Sequence, residues 1–237
     1  MKIINNIEII DLALYFDSTL VIADIHIGYE EVLNKKGILV PRTQLEEATK
    51  RLDKIFDRLK NRRIERIIIN GDLKHEFGTI SEQEWRNTLK FLDLLAKHCN
   101  EIVLIKGNHD TILGPIARKR NVKVMDNIMV GNVLITHGDK ISGKETLNKA
   151  SAIIMGHEHP AISLKKGPRT ETYKCFLKGK YKGKNLIVQP SFNTLAEGTD
   201  ILKNKILSPF LDQNLDNFEV YVVEDKIYDF GKLKNLR

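Results

Sequence analysis

The stretch Gly107-Asn108-His109-Asp110 follows the apolar run Ile102-Val103-Leu104-Ile105, with only Lys106 between the two. A run rich in β-branched residues and bounded by Gly and Asn predicts a buried strand that ends in a sharp turn. Asn108 and His109 would then lie at the carboxyl end of the strand, where α/β sheets usually bind ligands because the loops meet over a crevice. An amide oxygen can bind a metal ion, an imidazole can donate a proton, and a following carboxylate can orient that imidazole. The stretch therefore predicts an α/β sheet with a site at its edge.

Four other apolar runs in the chain end in side chains of the same kinds. The runs, with the residues that follow them, are 20–23 with Asp24 and His26, 67–70 with Asp72, 133–136 with His137 and Asp139, and 152–155 with His157 and His159. A single Gly-Asn turn that carries a histidine is an ordinary surface loop. Five such strand ends in one chain predict instead that all five sets converge at one sheet edge.

Length and composition limit the class of protein. The 237 residues can bury a substantial core and fit one α/β or sandwich domain, so we expect a single domain over 1–237, in which 200–237 form a C-terminal hairpin that closes a sheet. Two cysteines, Cys99 and Cys175, argue against a disulfide framework and against a thiolate zinc site. The sequence shows no cleavable leader and no run of membrane-spanning length, so a cytoplasmic location without membrane contact is expected.

The chain is basic, with a formal net charge of +7. This charge favours an anionic partner such as nucleic acid or a nucleotide, but a sequence rich in Lys, Glu and Ile is equally typical of a thermophilic protein's charged surface. Many of the lysines lie in 165–184, interleaved with aromatic residues. That segment could follow a phosphate backbone, yet the alternation of Tyr173, Cys175 and Leu177 is also typical of a half-buried strand with lysines outward. Both interpretations stay open.

Two helices are predicted in the first half of the chain. Apolar residues recur at helical spacing from Thr43 to about Lys60 and from Ser81 to about Cys99. Each helix begins with the sequence of a capping box, with Thr or Ser followed three residues later by Glu. The first helix joins the strands 20–23 and 67–70, which are therefore expected to be parallel.

Short strands dominate the second half of the chain. They are predicted at 122–125, 128–130 and 133–136, with Gly131-Asn132 as a hairpin turn. Further on, Gly156-His157-Glu158-His159-Pro160 places two imidazoles two residues apart, beside a Gly that allows close backbone approach and a Pro that stiffens the exit. Residues two apart in an extended chain point to the same face, as a shared metal ion requires.

The strand ends together supply oxygen and nitrogen ligands without sulfur. The set is Asp24, His26, Asp72, Asn108, His137, His157 and His159. Seven ligands are too many for one ion and suit two divalent metal ions, which lower the pKa of a bridging water and hold a phosphoryl group. A divalent cation would also stabilise the Asp72 carboxylate after its apolar strand. Phosphoester hydrolysis is the predicted reaction. We interpret His75, on the loop after Asp72, as a loop histidine, with contact to substrate as the alternative.

In order along residues 20–160, the motifs D-x-H, G-D, G-N-H-D, H-G-D and G-H-x-H resemble those of the calcineurin-like metallophosphoesterases. The resemblance implies a four-layer α/β/β/α sandwich of two mixed β-sheets flanked by helices, with a di-metal site at the carboxyl ends of the strands. It implies that one metal ion is bound by Asp24, His26 and His159, that the other is bound by Asn108, His137 and His157, and that Asp72 bridges them. It also implies that His109 is the acid beside the leaving group, oriented by Asp110.

Within that family, D-I-H-I-G-Y-E at 24–30 and Q-P-S-F-N at 189–193 are similar to the predicted phosphoesterases that include the bacterial DNA-ligase-associated enzymes. The chain departs from the protein Ser/Thr phosphatases. Leu73 follows the G-D motif where those enzymes continue with Arg-Gly, and Asp110 stands where they have Glu. Protein phosphatase activity is therefore not expected.

These observations predict a metal-dependent phosphoesterase, more specifically a phosphodiesterase that uses a di-metal-activated water on nucleotides or nucleic acid. Mn²⁺ is the expected metal, with Fe, Co and Zn as alternatives, because oxygen and nitrogen ligands admit all four. A non-catalytic interaction module of the same fold is one alternative function, although the presence of His109 and Asp110 argues against it. A nucleic-acid-binding protein with structural metals is another. The physiological substrate, the choice between monoester and diester, and the oligomeric state stay open.

Overall fold

In the computed structural model, residues 1–4, 6–76, 80–110, 113–203 and 205–236 are described. They form two mixed β-sheets flanked by helices, which confirms the expected fold class. Both cysteines are free thiols, with Cys175 buried and Cys99 half-buried. No helix in these ranges combines the length and the hydropathy that crossing a membrane requires.

The first sheet contains seven strands in sequence order within the described residues. They are β1 (Lys2–Ile4), β2 (Ile7–Ile10), β3 (Ala13–Phe16), β4 (Thr19–Ala23), β5 (Arg66–Asn70), β6 (Glu101–Ile105) and β7 (Lys123–Met125). Strands β1 to β4 pair antiparallel, whereas β4 to β7 pair parallel. The predicted parallel pairing of the strands that carry Asp24 and Asp72 is confirmed.

The strands from Asn127 onward form the second sheet. Its strands are β8 (Asn127–Val130), β9 (Val133–Thr136), β10 (Ala152–Met155), β11 (Pro160–Lys166), β12 (Arg169–Tyr181), β13 (Lys184–Val188), β14 (Thr199–Asp200), β15 (Glu219–Val223) and β16 (Ile227–Lys232). Strands β9, β10 and β13 are parallel. The predicted hairpin turn at Gly131-Asn132 joins β8 to β9. The C-terminal hairpin β15–β16 joins the sheet by pairing with β12.

Two long helices and several short ones connect the strands. They are α1 (Tyr29–Lys35), α2 (Gln44–Arg58), α3 (Glu82–Leu95), α4 (Gly114–Arg120), α5 (Lys144–Lys149) and a 3₁₀ helix (Leu233–Asn235). Helices α2 and α3 confirm the two predicted helices, although α3 ends before Cys99 because 96–98 form turns. The short helices α1, α4 and α5 were not predicted, since six or seven residues give little helical periodicity to detect.

The two predicted capping boxes have different outcomes. Ser81 is extended and its hydroxyl accepts the N–H of Glu84 at 3.1 Å, which confirms the cap of α3. The cap predicted at Thr43 is wrong, because its backbone lies in the right-handed helical region and its hydroxyl donates to Glu47. The carboxylate of Glu30 accepts the N–H of Gln44 at 2.9 Å instead. Helix α2 is thus capped by a side chain from α1.

The core has two parts, one on each face of the second sheet, because alternate side chains of its strands point to opposite faces. Ile154 and Ile187 belong to a cluster that includes the first sheet and α2, α3 and α4, whereas Ile153 and Leu186 belong to a second cluster on the opposite face. Successive side chains of a strand point to opposite faces, so one face of this sheet packs toward the first sheet. The opposite face is covered by Leu147 of α5 and by apolar residues of 201–218. The outer layer there is only partly helical.

Candidate metal centre

The candidate site lies where the carboxyl ends of the parallel strands in both sheets meet. Its residues follow β4, β5 and β6 of the first sheet and β9 and β10 of the second. The two sheets are joined directly at this edge, because the N–H of His157 donates to Asp24 Oδ2 at 3.0 Å and the N–H of Phe192 donates to the carbonyl of Ala23 at 2.8 Å. The five strand ends converge as the sequence predicts.

Asp24, His26 and His159 form the first ligand group, with their ligand atoms within 4.8 Å of one another. His159 Nε2 lies 3.3 Å from His26 Nε2 and 3.5 Å from Asp24 Oδ1. Asp24 and His26 come from the first sheet, whereas His159 comes from the second. These are the three residues that the family resemblance assigns to one metal ion.

A second group is formed by Asp72, His137 and His157, also within 4.8 Å of one another. His137 Nε2 lies 2.9 Å from Asn108 Oδ1 and 3.2 Å from His157 Nδ1. Asp72 Oδ2 lies 3.5 Å from His137 Nε2 and 3.6 Å from His26 Nε2. The Asp72 carboxylate therefore faces both groups, the position that a bridging ligand requires.

The chemistry of these groups fits two divalent cations. Among the described residues, the buried atoms Asp24 Oδ1 and His137 Nδ1 make no hydrogen bond although they lie only 3.5 Å apart. Buried polar atoms without partners are costly, and metal coordination is one way to satisfy them. A set of carboxylate, amide and imidazole ligands without sulfur suits Mn, Fe, Co or Zn.

Burial and neighbouring charges shift the pKa values of several of these side chains. Burial, together with the charge of Asp24, raises the pKa of Asp72 well above its usual value. Burial also opposes ionisation of Asp24, but the charges of His159, His137 and His26 lower the pKa of Asp24 to about 2. Burial lowers the pKa of His26 and, aided by the charge of His137, lowers the pKa of His157 to about 4. Near neutral pH these two imidazoles are uncharged and offer lone pairs, and a bound cation would favour ionised Asp72.

Five of the seven predicted ligands have left-handed backbone conformations. Their φ angles are 54° for Asp24, 51° for His26, 43° for Asp72, 64° for His157 and 50° for His159. Residues with side chains rarely adopt such angles, and they persist where the surrounding structure enforces them. Strands β4, β5 and β10 therefore end in sharp turns that direct these polar side chains into the site.

Two glycines allow the close approach of these turns. A Cβ on Gly107 would lie 2.1 Å from Asp72 Oδ1, and a Cβ on Gly71, whose φ is +83°, would lie 2.0 Å from His137 Nδ1. No side chain fits at either position. The glycines of the G-D and G-N-H-D motifs are therefore required by contact with the ligands themselves.

Comparison with known proteins identifies the family. A family model described as calcineurin-like phosphoesterase matches residues 18–162. The chain belongs to this family. No curated protein matches the sequence of this calcineurin-like phosphoesterase.

Solved structures are similar to this chain to different degrees. The nuclease MPE of Pseudomonas putida is 20% identical, with 94% of this chain and 93% of that chain covered and a TM-score of 0.66. The phosphoesterase Yfce of E. coli is 13% identical over 87% and 88% of the two chains, with a TM-score of 0.40. Vps29 of Entamoeba histolytica, in complex with Zn²⁺, is 19% identical over 90% and 99%, with a TM-score of 0.37.

His109 lies beside both ligand groups of this calcineurin-like phosphoesterase. Its N–H donates to Asp72 Oδ1 at 2.9 Å, and its Nδ1 lies 2.6 Å from the carbonyl oxygen of His75. A carbonyl oxygen only accepts, so Nδ1 carries the hydrogen, and any proton transfer by the ring would use Nε2. Nε2 lies 4.0 Å from Asp72 Oδ2. Burial lowers the pKa of His109 below its ordinary value.

The role predicted for Asp110 requires correction. Its buried carboxylate accepts the N–H groups of Gly107, Leu73 and Lys74 at 3.1, 3.3 and 3.4 Å. Nδ1 of His109, which Asp110 was expected to orient, is held by the His75 carbonyl instead. Asp110 therefore joins the loop after β6 to the loop after β5. Lys74, also buried, joins the same loops by donating from Nζ to the carbonyl of His109 at 2.8 Å.

His75 lies beside His26 and His109, which favours the alternative of contact with substrate over an ordinary loop histidine. It forms a third group with His26 and His109, and its Nδ1 lies 3.3 Å from His26 Nδ1. Burial and the charge of His109 lower the pKa of His75 to about 4. Buried Glu84, from α3, accepts the N–H of His75 at 2.9 Å. Sequence spacing could not reveal either role, because His75 lies on a loop and Glu84 matches an ordinary helix cap.

Several lysines of the basic segment 165–184 have partners within the protein. Lys174 is half-buried and donates from Nζ to the carbonyls of Ser191 and Asn193. Lys178 pairs with Glu219 at 2.8 Å, and Lys184 donates to the carbonyl of Ala150 at 2.6 Å. At these positions the segment matches the half-buried strand of the two sequence-based interpretations.

Proposed function

We propose that this protein is a metal-dependent phosphodiesterase that acts on nucleotides or nucleic acid. The observation that carries the proposal is the position of Asp72, whose Oδ2 faces a ligand of each group at 3.5 and 3.6 Å, beside His109. Two divalent ions bound there would supply Lewis-acid stabilisation of the phosphoryl group and a more acidic water. Membership in the calcineurin-like phosphoesterases supports this chemistry.

The proposed roles divide the ligands between two ions. Asp24, His26 and His159 would hold one ion, Asn108, His137 and His157 would hold the other, and Asp72 would contact both. We propose Mn²⁺ as the metal, with Fe, Co and Zn as alternatives, since the donor atoms are oxygen and nitrogen. The lowered pKa values of His26 and His157 support ligation, because a neutral imidazole binds a cation without first losing a proton.

His109 is proposed as the general acid. The hydrogen bond from Nδ1 to the His75 carbonyl fixes the ring and leaves Nε2 as the donor to a leaving oxygen. Burial lowers the pKa of His109, so the negative phosphate must favour the protonated ring when substrate is bound. Asp110 contributes by fixing the loop that carries His109.

Two observations favour nucleic acid among phosphodiesters. The net charge of +7 suits a polyanion, and the structure of similar fold with the highest TM-score given above is that of a nuclease. The net charge is equally consistent with a nucleic-acid-binding protein whose metals are structural. Turnover distinguishes the two, because only the enzyme converts bound nucleic acid to products.

Metal-stimulated hydrolysis tests the proposal. Metal-free protein would be supplied with Mn²⁺, Fe²⁺, Co²⁺ or Zn²⁺ and assayed on bis-p-nitrophenyl phosphate, p-nitrophenyl phosphate, cyclic nucleotides, and single- and double-stranded DNA and RNA. We expect turnover of the diester and of a nucleotide or nucleic acid, and loss of turnover with chelator. No turnover with any of the four ions, or turnover of the monoester alone, would overturn the proposal.

A further inference from the structure

The segment Gln-Pro-Ser-Phe-Asn at 189–193, which follows β13, lies directly against the turn that carries the first ligands. All five residues are buried. The Ser191 hydroxyl donates to the carbonyl of Asp24 at 2.6 Å, and the N–H of Phe192 donates to the carbonyl of Ala23 at 2.8 Å. This segment of the second sheet therefore binds the backbone of the first sheet at Asp24.

Gln44, the first residue of α2, contacts the same turn from another side. Its buried amide Nε2 lies within hydrogen-bonding distance of the carbonyls of Ile25 and His26, at 3.2 and 2.8 Å, and its Oε1 accepts the N–H of Gly28 at 3.2 Å. The same Nε2 lies 3.3 Å from Oδ1 of Asn193. Gln44 thus connects the ligand turn to the 189–193 segment.

Lys174 holds the 189–193 segment from the far side. Its Nζ donates to the carbonyl of Ser191 at 2.8 Å and to the carbonyl of Asn193. Neither bond involves a predicted ligand. The half-buried Lys174, on β12, thus fixes the two residues that contact the turn or Gln44.

The turn from Asp24 to His26 has a strained backbone that requires contacts to hold it. Both Asp24 and His26 adopt left-handed φ angles, 54° and 51°. The carbonyls of all three turn residues, with Ile25 between them, face buried side-chain donors: Ser191 for the first and Gln44 for the other two. A conformation that side chains disfavour persists only where its surroundings hold it.

We propose that Ser191, Gln44 and Lys174 are positioning residues that hold the Asp24–His26 turn in the conformation that binds metal. This inference rests on the proposed function. It differs from a general stabilising role, because loss of one donor should weaken metal binding more than it weakens folding. Partners behind metal ligands typically contribute about 10–100-fold in metal affinity.

Calorimetric titration of the metal-free protein with Mn²⁺ tests the inference without any substrate. Ser191→Ala removes the bond to Asp24, and Gln44→Met removes the bonds to Ile25 and His26. Ser163→Ala is the matched control, because its hydroxyl lies 3.2 Å from Thr172 Oγ1 on β12. We expect both variants to bind Mn²⁺ about 10–100-fold more weakly, whereas Ser163→Ala binds as the unmodified protein does.

Hydrogen exchange of the metal-free proteins supplies an independent measurement. In the unmodified protein the N–H of His26 and Ile27 donate to the carbonyls of Asp72 and Leu73, both at 2.9 Å. We expect faster exchange of these two amides in Ser191→Ala and in Gln44→Met, and no change in Ser163→Ala. If Ser191→Ala does not fold, Gln44→Met decides alone.

The outcomes separate this inference from the proposed function. If the unmodified protein binds none of the four metals, the proposed function fails. If it binds metal and both variants bind equally well, with a lower melting temperature as their only change, the residues are structural and the inference is overturned.

Discussion

The backbone N–H of His109 donates to Oδ1 of Asp72, with 2.9 Å between the two atoms. This bond orients the carboxylate so that Oδ2 faces His26 and His137. The same loop carries the His109 imidazole. The bond therefore fixes the position of the proposed acid, His109, relative to the proposed bridging ligand, Asp72. A change at either residue should therefore be examined for both metal content and turnover.

Asp72→Asn should lose metal and activity together on every substrate. The substitution removes the negative charge that faces both ligand groups, and an amide is a weaker ligand for two cations than a carboxylate. Metal content after dialysis and turnover of bis-p-nitrophenyl phosphate are the measurements. Asp53→Asn, on the exposed side of α2, is the control and should change neither. Full metal content in Asp72→Asn would contradict the bridging role.

Gly107→Ala should disrupt the site although only a methyl group is added. The new Cβ would lie 2.1 Å from Asp72 Oδ1 and 2.4 Å from the backbone nitrogen of Asp72, so the loop must shift. Forced shifts of this kind cost about 1–3 kcal/mol of stability, and here they also displace a proposed ligand. Melting temperature and metal affinity should both fall. Gly143→Ala is the control, because nothing lies within 4 Å of its Cβ. An unchanged affinity in Gly107→Ala would contradict the tight contact.

The strand ends could be predicted from sequence because two local signals coincide there. An apolar run marks a buried strand, and the polar residues that follow mark its functional end, as at β6 with Asn108 and at β10 with His157. Parallel pairing then brings the ends together, and the match to known motifs supplied the division into two ligand groups. The single domain over 1–237 and the cytoplasmic location stay predictions.

Some contacts of the site could not be predicted, because they depend on how distant loops fold together. The sequence places Asp110 directly after His109, which predicts contact between the two. In the folded loops Asp110 accepts the N–H of Gly107, and the carbonyl of His75 is the partner of His109 Nδ1. Likewise Ser191 reaches Asp24 across 167 positions of the chain. Every residue has a backbone carbonyl, so the sequence does not indicate which carbonyl will accept a given hydrogen bond. Such contacts can be identified only from the folded loops.

Lys174 should make stability depend on pH in the alkaline range. Burial lowers the pKa of Lys174 to about 7 in the folded protein, whereas an unfolded lysine has a pKa of about 10.4. Between these values the unfolded chain binds the proton and the folded chain does not, so the free energy of unfolding rises with pH. Below the folded pKa both states are protonated, and the slope vanishes.

Urea unfolding of metal-free protein at several pH values from about 6 to 10 measures this dependence. Lys174→Met lacks the titrating group, so the free energy of the unmodified protein minus that of the variant should increase with pH. Lys184→Met is the control, because Lys184 lies at the start of β13 and donates to the carbonyl of Ala150, away from the 189–193 segment. A difference that stays constant or falls with pH would show that Lys174 is protonated throughout in the folded protein.

His109→Ala separates proton donation from metal binding. If Nε2 gives a proton to the leaving oxygen, the variant should keep both metals and lose turnover, because a general acid typically contributes about 10²–10⁴-fold. The loss should be large for an alkyl phosphodiester, whose leaving oxygen needs the proton, and small for bis-p-nitrophenyl phosphate, whose aryl oxide leaves with little protonation. His98→Ala is the control, because its ring stacks on Phe56 at 3.8 Å between centroids, outside the site. Equal losses on the two substrates, with unchanged metal content, would instead show that His109 positions the phosphate, since a contact with the phosphoryl oxygens is indifferent to the leaving group.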